Sequence, residues 1–209
     1  MPKLVDHDRR RAELARAVWR VIGRHGIEGA TVRRVAEEAG VSIGGLRHYF
    51  DSQQGLLLFA AEEVAGAVGP RVAAHLGGDL PGPERARLVL EELLPLDADR
   101  RVEVDVWLAC LARARVDGAM DELRRAAWAG ERHLCRLAVA LCRGVAPPEV
   151  IGDELDERLE RHARRLHVVV DGLTLQAAMF PDRFPVDELR EVLCAELART
   201  AADPAAPDR

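Results

Sequence analysis

Between Thr31 and Phe50 the sequence starts and stops a helix twice, and neither helix is long enough to stand alone. Thr31 is placed as an N-cap, Val32, Val35, Ala36 and Ala39 supply one apolar side, and Gly40 is placed to end the segment in a left-handed turn. Ser42 can cap again at once, so the spacing predicts a further helix over Ile43 to Phe50 after only Val41 and Ser42. Helices shorter than about 12–15 residues are marginal in water. Such a pair persists only if its members pack on each other and on a neighbour. Ala36 is small enough for close approach, and Val41 and Leu46 are placed to point inward. The result is either a helix-turn-helix or an ordinary αα-hairpin.

Helical neighbours are available on both sides. From Asp8 to His25, Leu14, Val18, Val21 and Ile22 recur at helical spacing, Arg16, Arg20 and Arg24 share another face, and Gly26 is a stop signal. Asp51 or Ser52 is placed to cap a fourth helix running towards His75, which the breaker cluster 77–83 ends. Further helices are expected at about 84–94, 98–116, 119–145, 153–180 and 186–201, with Gly and Pro at the joints. Only 3 Trp, 1 Tyr and 4 Phe occur, and strand-favouring runs are scarce, so a sheet is not expected. The fold class expected is all-α, about nine helices. An N-terminal three-helix helix-turn-helix domain (1–51) precedes a larger helical domain (52–202) and a frayed tail (203–209). The longest apolar runs, Leu56 to Ala61 and Leu137 to Cys142, are far below a membrane span, and the charged N-terminus lacks the pattern of a signal peptide. The expectation is a cytoplasmic protein with no membrane partner.

The formal net charge of -5 argues, as an average, against nucleic acid. Counted separately, residues 1–50 carry +4 and the remainder -9. The short-helix pair therefore lies in the basic part of the chain, and Arg47, His48 and Tyr49 fall near the exposed side of its second helix. That combination favours a DNA-facing surface. Gly44 and Gly45 in the first turn each cost about 1 kcal/mol relative to Ala. Either they let a helix terminus come close to phosphates and base edges, or they let two helices cross tightly. Arg33 and Arg47 are the long donors suited to phosphate or to guanine, and Ile43 can meet a thymine methyl.

The run Thr31-Val-Arg-Arg-Val-Ala-Glu-Glu-Ala-Gly-Val-Ser-Ile-Gly-Gly-Leu-Arg-His-Tyr-Phe50, followed by Asp-Ser-Gln-Gln-Gly-Leu-Leu, resembles the DNA-binding domain of the TetR family of transcriptional regulators. The likeness extends from about Arg9 to Leu58. Segments Leu93 to Arg115 and Asp171-Gly-Leu-Thr-Leu-Gln are similar to the C-terminal domain of its BetI-like branch. The resemblance implies a ligand-responsive homodimer that binds a palindromic double-stranded operator, most often as a repressor. It also implies that Tyr49 donates to a backbone phosphate and that Phe50 plugs the core between the third and fourth helices. Two positions depart from the family pattern: Arg47 stands where Tyr is frequent, and Gln53 where Lys is frequent. The DNA-facing set is thus Thr31, Arg33, Ser42, Ile43, Gly44, Gly45, Arg47, His48, Tyr49 and Gln53.

In the effector half, the 119–145 helix has a stripe of Leu123, Ala127, Gly130, Leu134, Leu137 and Leu141, with Trp128, Cys135 and Cys142 a quarter turn away and Arg125, Arg132, Arg136 and Arg143 opposite. So broad an apolar arc either faces a second helix or lines a cavity. With Trp107, Cys110 and Leu111 of the preceding helix, Trp128 and Cys135 would enclose a pocket for a small, largely apolar effector. Asp171 is unusual in its apolar stretch and either bonds a helix end or anchors a ligand. Leu155, Leu159, His162, Leu166, Val169 and Leu173 run at alternating three- and four-residue steps, a bundle seam. The family resemblance implies that this seam, with Leu193 and Leu197, forms the dimer interface. His162 there is either a satisfied seam histidine or a pH sensor.

No motif points to catalysis: G-x-S-x-G, Walker A, G-x-G-x-x-G and H-E-x-x-H are missing, and no histidine has a partner that spacing alone singles out. Cys110, Cys135, Cys142 and Cys194 lack metal-ligand spacing and read as small buried hydrophobes. No enzyme activity, cofactor or metal is expected.

Overall fold

The computed structural model describes residues 2–50 and 52–202, with side chains from Arg9 onward. Nine α-helices and one 3-10 turn, and no strand, occur among the described residues. The expected frayed tail, 203–209, and the expected cap at Asp51 lie outside them.

Helix α1 (Pro2–Gly29) is broken near its end by Gly26, whose φ of 67° only glycine adopts at little cost. Helix α2 (Val32–Ala39) starts at Thr31, whose hydroxyl accepts from Arg34 N at 3.3 Å, and ends at Gly40 in the left-handed region (φ 65°). Ser42 Oγ accepts from Gly45 N at 3.1 Å and caps α3 (Ile43–Leu46). That helix is half as long as expected. Residues 47–49 are a turn, although Phe50 N still bonds Leu46 O at 3.1 Å. Two helix-weakening glycines in four residues account for the shortness. Ser52 Oγ accepts from Gly55 N at 3.1 Å ahead of α4 (Gln53–Leu76). Then come α5 (Gly82–Glu91), α6 (Ala98–Ala114), the 3-10 turn Gly118–Met120, α7 (Asp121–Arg143), α8 (Glu157–Met179) and α9 (Val186–Ala202).

The chain forms two compact units. The first comprises residues up to Val68 with Arg101–Arg124; the second comprises Gly69–Arg100 and everything from Arg125 on. The break falls inside α4 and not at 51/52, because Leu56, Leu57, Phe59, Ala60 and Val64 are buried with α1, α2 and α3. In the first unit Leu14, Val18, Val21 and Ile22 of α1 meet Val35 and Ala36 of α2, Leu46 of α3, and Val106 and Cys110 of α6. Phe50 is buried, its ring 5.4 Å from that of Phe59. Trp19 Nε1 donates to Ala60 O at 3.3 Å. Arg20 and Arg24 both grip Glu38, at 2.5 and 3.0 Å, and fasten α1 to α2.

In the second unit Leu90 and Leu94 meet Cys135, Ala138 and Val139 of α7, Leu159, Leu166, Val170 and Leu173 of α8, and Leu189, Leu193 and Leu197 of α9. Four buried carboxylates, Glu91, Glu92, Glu160 and Glu196, take part in its polar interior. Glu92 receives Arg71 (2.6 Å), His75 (2.9 Å) and Arg100 (2.6 Å). Burial pushes Glu92 up, but the hydrogen bonds from Arg100, His75 and Arg71 prevail and hold it below the usual carboxylate range. Glu160 receives Arg136 Nε at 2.5 Å and Leu155 N at 3.1 Å, and is likewise held low against the upward push of burial.

The arginine row of α7 thus departs from its expected outward position: Arg132 and Arg136 are buried. Cys194 departs too, being exposed, whereas Cys110 and Cys135 are buried and Cys142 is half-buried. Cys110 Sγ lies 3.6 Å from Leu57 O, and burial pushes its thiol up to about 12.

Candidate functional site

The surface of the first unit that carries α2, the turn and α3 combines caps, glycines and cations. Thr31, Arg33, Ser42, Ile43, Gly44, Gly45, Arg47, His48 and Gln53 are exposed, and Tyr49 is half-buried. The Thr31 and Ser42 oxygens accept backbone N–H groups, which leaves each hydroxyl proton free to donate outward. Arg33 is tied to Glu37 at 3.1 Å, an exposed i,i+4 pair that a phosphate could outcompete. Arg34 donates to Gly29 O at 3.1 Å. Arg47 makes no ion pair among the described residues. A cavity of about 350 Å3, lined by Arg10, Leu14, Val41, Gly45, Leu46, His48 and Tyr49, opens beside α3.

The two α3 glycines are not required by packing. A Cβ on Gly44 would meet nothing nearer than Ser42 Oγ at 3.9 Å, and one on Gly45 the same atom at 3.4 Å. Among the described residues no other helix crosses there closely enough to exclude an alanine, so tight helix crossing does not explain them.

The expected effector residues divide between the units. Trp107, Cys110 and Leu111 belong to the first unit; Trp107 packs against its core and Cys110 is buried in it. Trp128, Cys135 and Asp171 belong to the second, where Trp128 is 56% exposed and Cys135 is buried. Around Trp128 lies a polar cluster built from α7 and α8. His167, buried, has Nε2 3.3 Å from Glu131 Oε2 and 3.6 Å from Asp171 Oδ1. The His167 and Trp128 rings are 5.8 Å apart. Burial and the Glu131 charge push Asp171 up against the opposing pull of His167 and Arg132. The three ligand atoms lie within 4.8 Å of one another, close enough to share a divalent cation or a protonated amine. Arg132 stands beside them, its guanidinium 5.1 Å from the Trp128 ring.

The sequence does not single out Glu131, Arg132 or His167 as site residues. The His167–Asp171 spacing of four is the available signal, but Glu131 comes from another helix.

The residues expected at a dimer seam need correction. Leu159, Leu166, Leu173, Leu193 and Leu197 are buried inside the single chain, while Leu155 and Val169 pack at the margin of the same core. They are spent on α5, α7, α8 and α9 of their own chain. His162 is half-buried. The outward apolar residues of α8 and α9 are Val168, Leu175, Met179 and Val192.

Two family models match. Residues 14–69 match the tetR family of bacterial regulatory proteins, and residues 83–202 the C-terminal part of BetI-type transcriptional repressors. The HTH-type transcriptional regulator PksA of Bacillus subtilis is 36% identical over 194 residues, covering 92% of this chain and 90% of that one. A transcriptional regulator from Rhodococcus sp. Rha1 superposes with a TM-score of 0.75 at 29% identity, over 93% of this chain and 99% of the other. The multidrug binding protein EbrR, solved with imidazole, gives 0.61 at 26% identity, over 95% and 93%. Among the described residues no helix is long and apolar enough to cross a membrane.

Proposed function

The chain belongs to the TetR family of bacterial transcriptional regulators, with a BetI-type C-terminal part, and from that premise we propose a homodimeric repressor released from a palindromic operator by a small molecule.

The observation that carries the DNA-reading role is the uncrowded glycine pair. Gly44 and Gly45 weaken α3, yet a methyl group would fit at both positions within the chain. The chain therefore gains nothing internal from bare backbone there, whereas a phosphate or base edge approaching α3 would. Around it, Ser42 and Thr31 donate to phosphate, Arg47 supplies the long cation, Ile43 meets a thymine methyl, and His48, Tyr49, Arg33 and Gln53 hold the flanking backbone. Residues 1–51 are the reading part on this account, although their compact unit extends into α4 and α6.

Two copies would join through the outward faces of α8 and α9, where Val168, Leu175 and Val192 are exposed, and not through the buried leucine stripe. The effector would bind at Trp128, Glu131, Arg132, His167 and Asp171. This mostly ionisable set is more polar than the apolar pocket the sequence suggested. Because α4, α6 and α7 each contribute residues to both units, an effector that prefers one arrangement of the second unit would shift the spacing of paired α3 helices by population shift.

Selection of bound sequences from random duplex DNA tests the reading. A two-fold symmetric site with half-site centres about 34–36 Å apart is expected. Recovery of no enriched sequence, or of asymmetric single sites bound by a monomer, would contradict it.

A further inference from the structure

Helix α7 carries a guanidinium two of whose donor nitrogens find no acceptor among the described residues. Arg132 is 7% exposed, and its Nε and Nη1 are buried without an acceptor. Three carboxylates at the start of α8 and just before it are engaged by other arginines. Glu160 and Glu154 bond Arg136, at 2.5 and 3.3 Å, and Glu157 bonds Arg164 at 3.4 Å. Burial lowers the Arg132 pKa, and although Glu160 attracts it, Arg136 and Arg164 repel it. An arginine used only for packing would be better replaced by an apolar residue of similar volume. The exposed Trp128 indole stacks on this guanidinium at 5.1 Å, so a solvent-accessible ring stands next to the buried cation. The same indole neighbours His167, which is grouped with Glu131 and Asp171.

An arginine fork with two unbonded donor nitrogens suits a planar oxyanion. We propose that the effector carries a carboxylate received by Arg132 beside the Trp128 indole, and an amine or hydroxyl that donates to Glu131 and Asp171. The inference rests on the α7–α8 cluster being the effector site.

The test uses four matched probes on the full chain: pentanoate, 5-aminopentanoate, pentanamide and pentylamine, followed by tryptophan fluorescence and thermal shift. The two carboxylates are expected to bind, 5-aminopentanoate the more tightly, and the amide and amine not. Arg132→Gln is expected to weaken carboxylate binding roughly tenfold or more. Arg132→Met, which removes the unpaired charge, is expected to match or exceed the wild-type melting temperature while losing the response, which separates lost binding from lost folding. A Trp128-dependent response to pentylamine or pentanamide without one to the acids would overturn the carboxylate and leave the effector site standing. Acid binding that survives both Arg132 variants would overturn the role of Arg132. Silence from all four probes would overturn both the carboxylate and the site.

Discussion

The α3 surface and the α7–α8 cluster spend their polar groups in opposite ways. On the first unit, arginines that could have faced outward are tied down internally, Arg20 and Arg24 to Glu38 and Arg34 to a backbone carbonyl. What faces outward around α3 is two hydroxyls, two glycines, Ile43 and Gln53, with Arg33, Arg47 and His48. In the second unit several charged groups are drawn inward, and the Nε and Nη1 of one of them, Arg132, find no acceptor among the described residues. The first arrangement suits a large, rigid, anionic partner that the backbone itself can approach. The second suits a small partner that supplies what the interior lacks.

The largest expected effect concerns the interior that supports the second region. Glu92→Ala leaves Arg71, His75 and Arg100 around a missing carboxylate and should cost ~3–5 kcal/mol of stability, measured by urea unfolding. Because the folded pKa of Glu92 lies below its ordinary 4.5, its contribution is fully present above that value. It should be lost as pH falls through the lower folded value. A Glu92→Ala protein as stable as wild type, with the same acid limb, would remove the contrast between a polar interior that matters and a polar surface that does not.

A smaller effect is expected on the α3 surface. Arg47→Ala should weaken binding to a selected duplex severalfold and, if Arg47 holds a phosphate, flatten the slope of log K against log salt by about 0.9. Arg24→Ala, whose guanidinium already serves Glu38, should leave that slope unchanged and cost at most about 1 kcal/mol of stability. Equal slopes for all three proteins would show that the internal pairing of cations does not distinguish DNA-facing arginines from the rest.

Legibility in the amino-acid sequence divides along the same line. The α2–turn–α3 surface is contiguous in sequence, so Thr31, Gly40 and Ser42 announce their caps directly, and the left-handed Gly40 follows from local chemistry. The α7–α8 cluster joins residues 36 to 40 positions apart in the chain, such as Glu131 with His167 and Asp171, and no local pattern carries that pairing. Periodicity marks Leu159, Leu166, Leu173, Leu193 and Leu197 as a buried face but does not say whose helix covers them, and their own chain does. The same blindness puts Arg132 and Arg136 on a solvated face. A charge at helical spacing looks the same whether water or Glu160 lies opposite. Trp107 and Trp128 both sit on long helices, yet they fall in different compact units, a division that spacing does not encode.

The most direct test of the central claim is Gly45→Ala, followed by fluorescence anisotropy on a selected duplex alongside thermal unfolding. With room for the methyl inside the chain and helix propensity in its favour, the melting temperature should hold or rise, while affinity falls roughly tenfold or more as the methyl meets DNA. Undiminished affinity, or affinity lost only in step with folding, would contradict the account.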